Sequence, residues 1–213
     1  MTDEIKPILT VTREIRDAMS PEEIIERAKA GNRRFREGNR VERDFLAEQR
    51  ATASGQYPAA VLLGCIDSRS PAEIIFDLGL GYVFNCRVAG NVENPDVLGS
   101  LEFATKVAGA KVVLVLGHAG CGAVKGAIDG ARLGHLTQLL DKIRPAVEAT
   151  VYDGERTSGN PEFVEAVARK NIELTMANIR KKSAVIAELE ASGAVKVAGA
   201  FHHLATGFVE FLP

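Results

Sequence analysis

The chain has no tryptophan and few of the side chains that most often carry chemistry: three cysteines and four histidines in 213 residues. An odd and small cysteine count does not make a disulfide framework, so a reducing cytoplasm is the expected setting. Charge of one sign is also missing. Twenty-six Lys and Arg against 28 Asp and Glu leave a net charge of −2, which gives no basic footprint for nucleic acid and no cationic face for anionic lipid. Apolar runs are short: even the stretch 112–117 is far below the ~20 residues that cross a bilayer. The opening Met1-Thr2-Asp3-Glu4 lacks the basic-then-apolar order of a secretory leader. Repeats, low-complexity tracts and linkers are absent as well. What remains, at 46% hydrophobic and 25% charged residues, is the composition of one ordinary globular domain with a full core.

The pattern of elements predicts an α/β fold. Ser20-Pro21-Glu22-Glu23 reads as an N-cap, a proline at the first helical position and acids in the first turn. That helix carries Ile24, Ile25, Ala28 and Phe35 on one side and stops near Gly38. A second, short helix is expected over 44–54. With no strand signal before residue 56, 1–55 is expected to be a helical arm that packs against something else, a second subunit for instance, and 56–213 the core. In the core, apolar strands over 59–66, 82–88 and 111–117 alternate with helices opening at Pro71, capped by Asp96, and following Cys121. Near-continuous apolar strands in such alternation indicate a parallel sheet buried on both faces. A long helical stretch over 161–191 precedes two final strands, 194–201 and 208–212, which form an antiparallel edge.

Two short motifs stand at the ends of those strands: Cys65-Ile66-Asp67-Ser68-Arg69 and His118-Ala119-Gly120-Cys121. In an open parallel sheet, ligands gather beyond the carboxyl ends of the strands, where strand order reverses. If the two strands are neighbours, Cys65, His118 and Cys121 can share one ion. Two thiolates and one imidazole leave a tetrahedral zinc with an open position, the mark of a catalytic rather than a structural site. The helix N-terminus following Cys121 favours its thiolate. Asp67 either orients water at such a site or binds the metal and closes it, and a bidentate pair with Arg69 decides between the two. Cys86 reads as core packing and His135 as a surface residue at a helix start. His202 and His203 are adjacent on a strand and point to opposite faces, so at most one of them can face the site.

Cys-x-Asp-x-Arg followed by His-x-x-Cys-Gly resembles the β-class carbonic anhydrases, and the resemblance runs to the final Thr-Gly-x-Val-Glu-Phe-Leu edge. It implies zinc held by Cys65, His118 and Cys121, with an Asp67–Arg69 dyad beside it. It also implies a parallel core with an antiparallel edge strand, and assembly as a homodimer or homotetramer. The implied reaction is reversible hydration of carbon dioxide to bicarbonate and a proton by zinc-bound hydroxide. Gln56 matches the glutamine that in the plant-like, open-site branch donates to a substrate oxygen, and the Gly122 amide matches a second donor. Phe84 and Ala89 match the apolar wall of the carbon dioxide pocket, usually contributed across the dimer. Another branch carries an inhibitory bicarbonate pocket; here Leu62 and Phe103 replace two of its polar members and only Arg87 is kept, so that switch is expected to be missing and Asp67 to ligate the metal only in a closed state. Two other readings use the same residues. One is hydrolysis of carbonyl sulfide or carbon disulfide; the other is a non-catalytic structural zinc dimer, which the presence of Arg69 disfavours.

Overall fold

The computed structural model describes residues 7–213, so the reading of residues 1–4 lies outside it. The described residues form a five-stranded sheet in the order β2-β1-β3-β4-β5: β1 Ala60–Gly64, β2 Val83–Arg87, β3 Val112–His118, β4 Lys196–His203 and β5 Phe208–Phe211. The first four strands run parallel and β5 closes the edge antiparallel to β4. From β1 the chain crosses to β2 on one side and returns to β3 on the other. The switch point therefore lies between β1 and β3, with Cys65 and His118 at its two lips.

Alternation within each strand serves two cores. Val61, Leu63, Val113, Val115, Val197 and Phe201 face helices α5 Pro95–Glu102, α6 Gly122–Ile128, α7 Gly134–Ala149, α8 Pro161–Lys182 and α9 Ala184–Ala191. Ala60, Leu62, Val112, Leu114 and Ala200 face α2 Pro21–Glu37 and the single turn α4 Ala72–Ile75. Helix α2 starts at the expected cap, with Ser20 accepting from the Glu23 amide, and ends at Gly38 in the left-handed region.

The N-terminal helices do not project as an arm. Ile24 and Ile25 of α2 are buried against this chain's own sheet. Asn32 fixes the register: its Nδ2 donates to the carbonyls of Ile75 (3.0 Å) and Gly207 (2.8 Å), while its Oδ1 accepts from the Val209 amide (2.9 Å). A short helix α1, Arg13–Ala18, precedes it, and the second expected helix is α3, Phe45–Ala51, capped by Asp44. Three further expectations need correction. The cap of α5 is Asn94, whose Oδ1 accepts from the Val97 amide at 2.9 Å, so Pro95 rather than Asp96 marks the first turn. The expected helix over 161–191 breaks at Ser183, whose hydroxyl caps α9. Helix α7 fills a stretch for which the sequence predicts only a helix start at the exposed His135.

Tyr82 precedes β2 in the α2-side core with its hydroxyl buried and unpartnered among the described residues, and burial pushes its pKa up to about 12. A buried hydroxyl without a partner costs free energy that a phenyl ring does not. Tyr82→Phe is therefore expected to raise the unfolding free energy by about 1 kcal/mol in urea titrations. A loss of the same size would show that the hydroxyl is satisfied.

Candidate metal centre

The parallel pairing of Gly64 with Leu116 brings the ends of β1 and β3 side by side. Cys65 follows the last residue of β1 and His118 is the last of β3. The turn that follows needs Gly120 in the left-handed region (φ 63°), and it returns the chain so that Cys121 sits at the start of α6. The two thiol sulfurs and an imidazole nitrogen lie within 4.8 Å of one another, all three residues buried. The sulfurs are 4.0 Å apart, close to the roughly 3.8 Å that a tetrahedral zinc with Zn–S near 2.3 Å would set. His118 Nε2 is buried with no hydrogen-bond partner among the described residues, while Nδ1 is engaged with the Ala119 carbonyl at 3.0 Å. An orphaned imidazole nitrogen facing two thiols is the donor set of a metal site, and the residues present fit one.

Without a metal the two thiols share a proton. The hydrogen bond from Cys121 draws Cys65 down to about 4 against the opposing effect of burial. Cys121 is raised, first by that same bond and then by burial. The amides at the start of α6 do work to lower the Cys121 pKa, as expected, but the bond to Cys65 and burial outweigh them. Gly90, left-handed at φ 71°, also turns its amide onto Cys65 Sγ at 3.4 Å, a smaller contribution than the Cys121 bond. Its own carbonyl is held by Asn171 Nδ2 at 2.8 Å. Burial works to lower the His118 pKa, but the Cys65 thiolate and then the Ala119 carbonyl outweigh it and leave the imidazole raised.

Asp67 lies beside this cluster with Oδ2 3.9 Å from His118 Nε2. Both of its oxygens are taken by Arg69: Oδ1 accepts from the backbone amide (2.9 Å) and Nε (3.0 Å), Oδ2 from Nη2 (2.7 Å). Those hydrogen bonds hold the carboxyl well below the usual carboxylate range. Arg87, from β2, braces the same loop. Its Nε donates to the Cys65 carbonyl at 2.8 Å and its Nη2 to that of Asp67. Leu62 is buried in the α2-side core and Phe103 is exposed.

The remaining candidates divide. Ala89 is half-buried next to Gly90, and Gly122 opens α6 beside Cys121. Gln56 is exposed and precedes β1, whereas Cys65 follows it. At ~3.3 Å per residue, the strand alone separates its two ends by about 16 Å, so Gln56 does not reach the cluster of its own chain. Phe84 pairs with Val61 midway along the sheet. It lines an open cavity of ≈ 630 Å³ with Phe103, their rings 6.3 Å apart edge to face, along the sheet's outer strand. Cys86 is half-buried and outside the ligand cluster.

A model of the carbonic anhydrase family matches residues 60–209. The chain belongs to the β-class carbonic anhydrases. It is 36% identical to carbonic anhydrase 2 of Mycobacterium tuberculosis over 84% of its length and 86% of the relative's, and 37% identical to a carbonic anhydrase of Mycolicibacterium smegmatis over 85% and 88%. Its fold superposes on a β-carbonic anhydrase of Aspergillus fumigatus with a TM-score of 0.70 at 29% identity, covering 78% and 81% of the two chains. For one of two tetrameric β-carbonic anhydrases of Sordaria macrospora the values are 0.67, 26%, 79% and 89%. No described helix is long and apolar enough to cross a membrane.

Sequence offers no sign for Ser70 and marks His202 only as one of two histidines that cannot both face the site, yet the pair joins its two halves. Ser70 Oγ meets His202 Nδ1 at 2.8 Å, and the His202 carbonyl accepts from the Ala119 amide at 3.0 Å, next to His118. The alternation rule holds, since His203 turns the other way, towards Arg169 and Glu210. Burial first, then the charges of His118 and His203, lower the His202 pKa from 6.5 to about 4. A histidine depressed on folding leaves stability intact above its unfolded pKa, near 6.5, and loses stability as pH falls from there to about 4, where the folded state also binds the proton. His202→Asn is expected to flatten the fall in urea midpoint between about pH 6.5 and 4; an unchanged slope would exclude His202 as its source.

Proposed function

We propose that the chain binds one zinc ion through Cys65, His118 and Cys121 and catalyses the reversible hydration of carbon dioxide to bicarbonate and a proton. The observation that carries this is the buried, unpartnered His118 Nε2 set against two thiol sulfurs. When bound, zinc supplies a Lewis acid that brings the pKa of a water towards ~7. Asp67, ionised throughout the neutral range, accepts a hydrogen bond from the attacking water and so directs its lone pair at the substrate carbon. Arg69 holds Asp67 in that pose and keeps it from becoming a fourth ligand, and Arg87 fixes the loop on which both stand. The Gly122 amide steadies negative charge as it develops on a substrate oxygen, and Ala89 gives the pocket part of its apolar wall.

Gln56 and Phe84 lie too far along the sheet to serve their own cluster, which supports a homodimer or homotetramer in which they complete the site of a second copy. The pairing of both Asp67 oxygens with Arg69, with Leu62 and Phe103 where the anion-binding branch is polar, supports the open-site branch without bicarbonate switching, and three free cysteines suit a cytoplasmic enzyme. Metal analysis of the purified protein together with stopped-flow carbon dioxide hydration tests the proposal. One zinc per chain and hydration far above the solvent rate are expected, and Cys86→Ser should change neither. Zinc without hydration, or hydrolysis of carbonyl sulfide in its place, would overturn the assigned reaction.

A further inference from the structure

A second cavity, of ≈ 560 Å³, opens between the end of α2 and the β4–β5 turn, lined among others by Phe35, Arg36, Arg69, His202, Thr206 and Gly207. We propose that it is a binding site for inorganic phosphate, separate from the metal cluster and joined to it through Arg69.

The charge of this cavity is one-sided, since none of its lining residues is acidic. Three other cations of α2 are paired, Arg27 with Glu23 at 2.7 Å, Lys29 with Glu26 at 2.7 Å and Arg34 with Asp77 at 2.6 Å. Arg36 instead lies 4.9 Å over the Phe208 ring, at the border with a neighbouring cavity that Glu210 lines, and has no ion pair among the described residues. Stacking of that kind orients a guanidinium edge without consuming its donors. Arg69 commits Nε and Nη2 to Asp67, which leaves Nη1 on a side chain that is 60% exposed. His202 adds a buried imidazole, 2% exposed, with Nδ1 on the Ser70 hydroxyl and Nε2 unpartnered among the described residues. Two guanidiniums with the Thr206 hydroxyl suit a tetrahedral oxyanion carrying more than one negative charge, because guanidinium matches phosphate in bidentate fashion.

An anion on Nη1 draws Arg69 away from Asp67, so phosphate should lower activity without competing with carbon dioxide. That consequence rests on the role proposed above for the dyad, whereas binding itself does not. The test is calorimetric titration of inorganic phosphate into wild type, Arg36→Gln and Arg36→Glu at ionic strength held constant with chloride, alongside carbon dioxide hydration on the same samples. Saturable binding by wild type is expected, weakened about tenfold in Arg36→Gln, the size of one charge-assisted hydrogen bond, and lost in Arg36→Glu. Activity without phosphate should be the same in all three, and non-competitive inhibition should follow the binding. No saturable binding by wild type, or equal affinity in Arg36→Glu, would overturn the site. Binding without inhibition would overturn the link through Arg69. Binding that tracks Arg36 in a protein with no hydration activity would uphold the site and reject the proposed reaction.

Discussion

Replacing His118 with alanine is expected to strip the protein of its metal and its activity together while leaving the sheet folded. The ligand atoms converge from three separate chain positions, and His118 Nε2 has no other partner to satisfy it. Removing it leaves two thiols that already share one proton, a set too poor to hold zinc at a working concentration. The loss in affinity should exceed the roughly 10–100-fold that changes behind a ligand cost. Cys65→Ala and Cys121→Ala should behave alike. His118 is 1% exposed at the end of β3, so truncation also opens a small cavity. A far-ultraviolet spectrum like that of wild type separates metal loss from unfolding. Full activity in any of the three variants without stoichiometric metal would end the assignment.

How much of this was legible beforehand depends on where the information sits. Strands β1 and β3 are buried at every position, so their uninterrupted apolar runs marked them, and a motif at the end of each marked the site. Pairing of β1 directly with β3 was the single condition that the sequence left open, and it holds. Local capping is legible where one side chain does the work, as at Ser20. It was misread at Asn94, where Pro95 was the better sign. Helix α7 follows Leu133, which offers no side-chain cap, and contains Pro145, so neither of the usual boundary signals is present. The packing of α2 depends on Asn32, whose three bonds reach 43, 175 and 177 residues along the chain. That the bond between the two thiols outweighs the helix start at Cys121 was likewise hidden, because the partners lie 56 residues apart in the chain. The distance of Gln56 from its own cluster follows only from strand direction.

The Asp67–Arg69 pair supplies the other large effect. Asp67→Asn is expected to keep its zinc and lose between about 10² and 10⁴ in kcat/KM, the range of a positioned proton acceptor. The amide is nearly isosteric, so packing around a side chain that is 15% exposed should survive; what disappears is the charge and one acceptor oxygen. Arg69→Ala acts differently. Asp67 stays ionised at neutral pH in this variant too, because loss of the Arg69 hydrogen bonds only lets its pKa return upwards towards 3.8. Freed, the carboxylate can turn the 3.9 Å towards His118 and take the fourth position itself. The sign follows from the protonation states: neither variant should regain activity between about pH 6 and 9, since no carboxyl proton is exchanged there. Arg69→Lys should rescue little, because an ammonium cannot reproduce the two-oxygen grip of Nε and Nη2. Metal content and rate profiles measured side by side decide the matter. An Arg69→Ala enzyme matching wild type at neutral pH, or an Asp67→Asn enzyme that has simply lost its zinc, would show that the pair does not govern the reaction in the way argued.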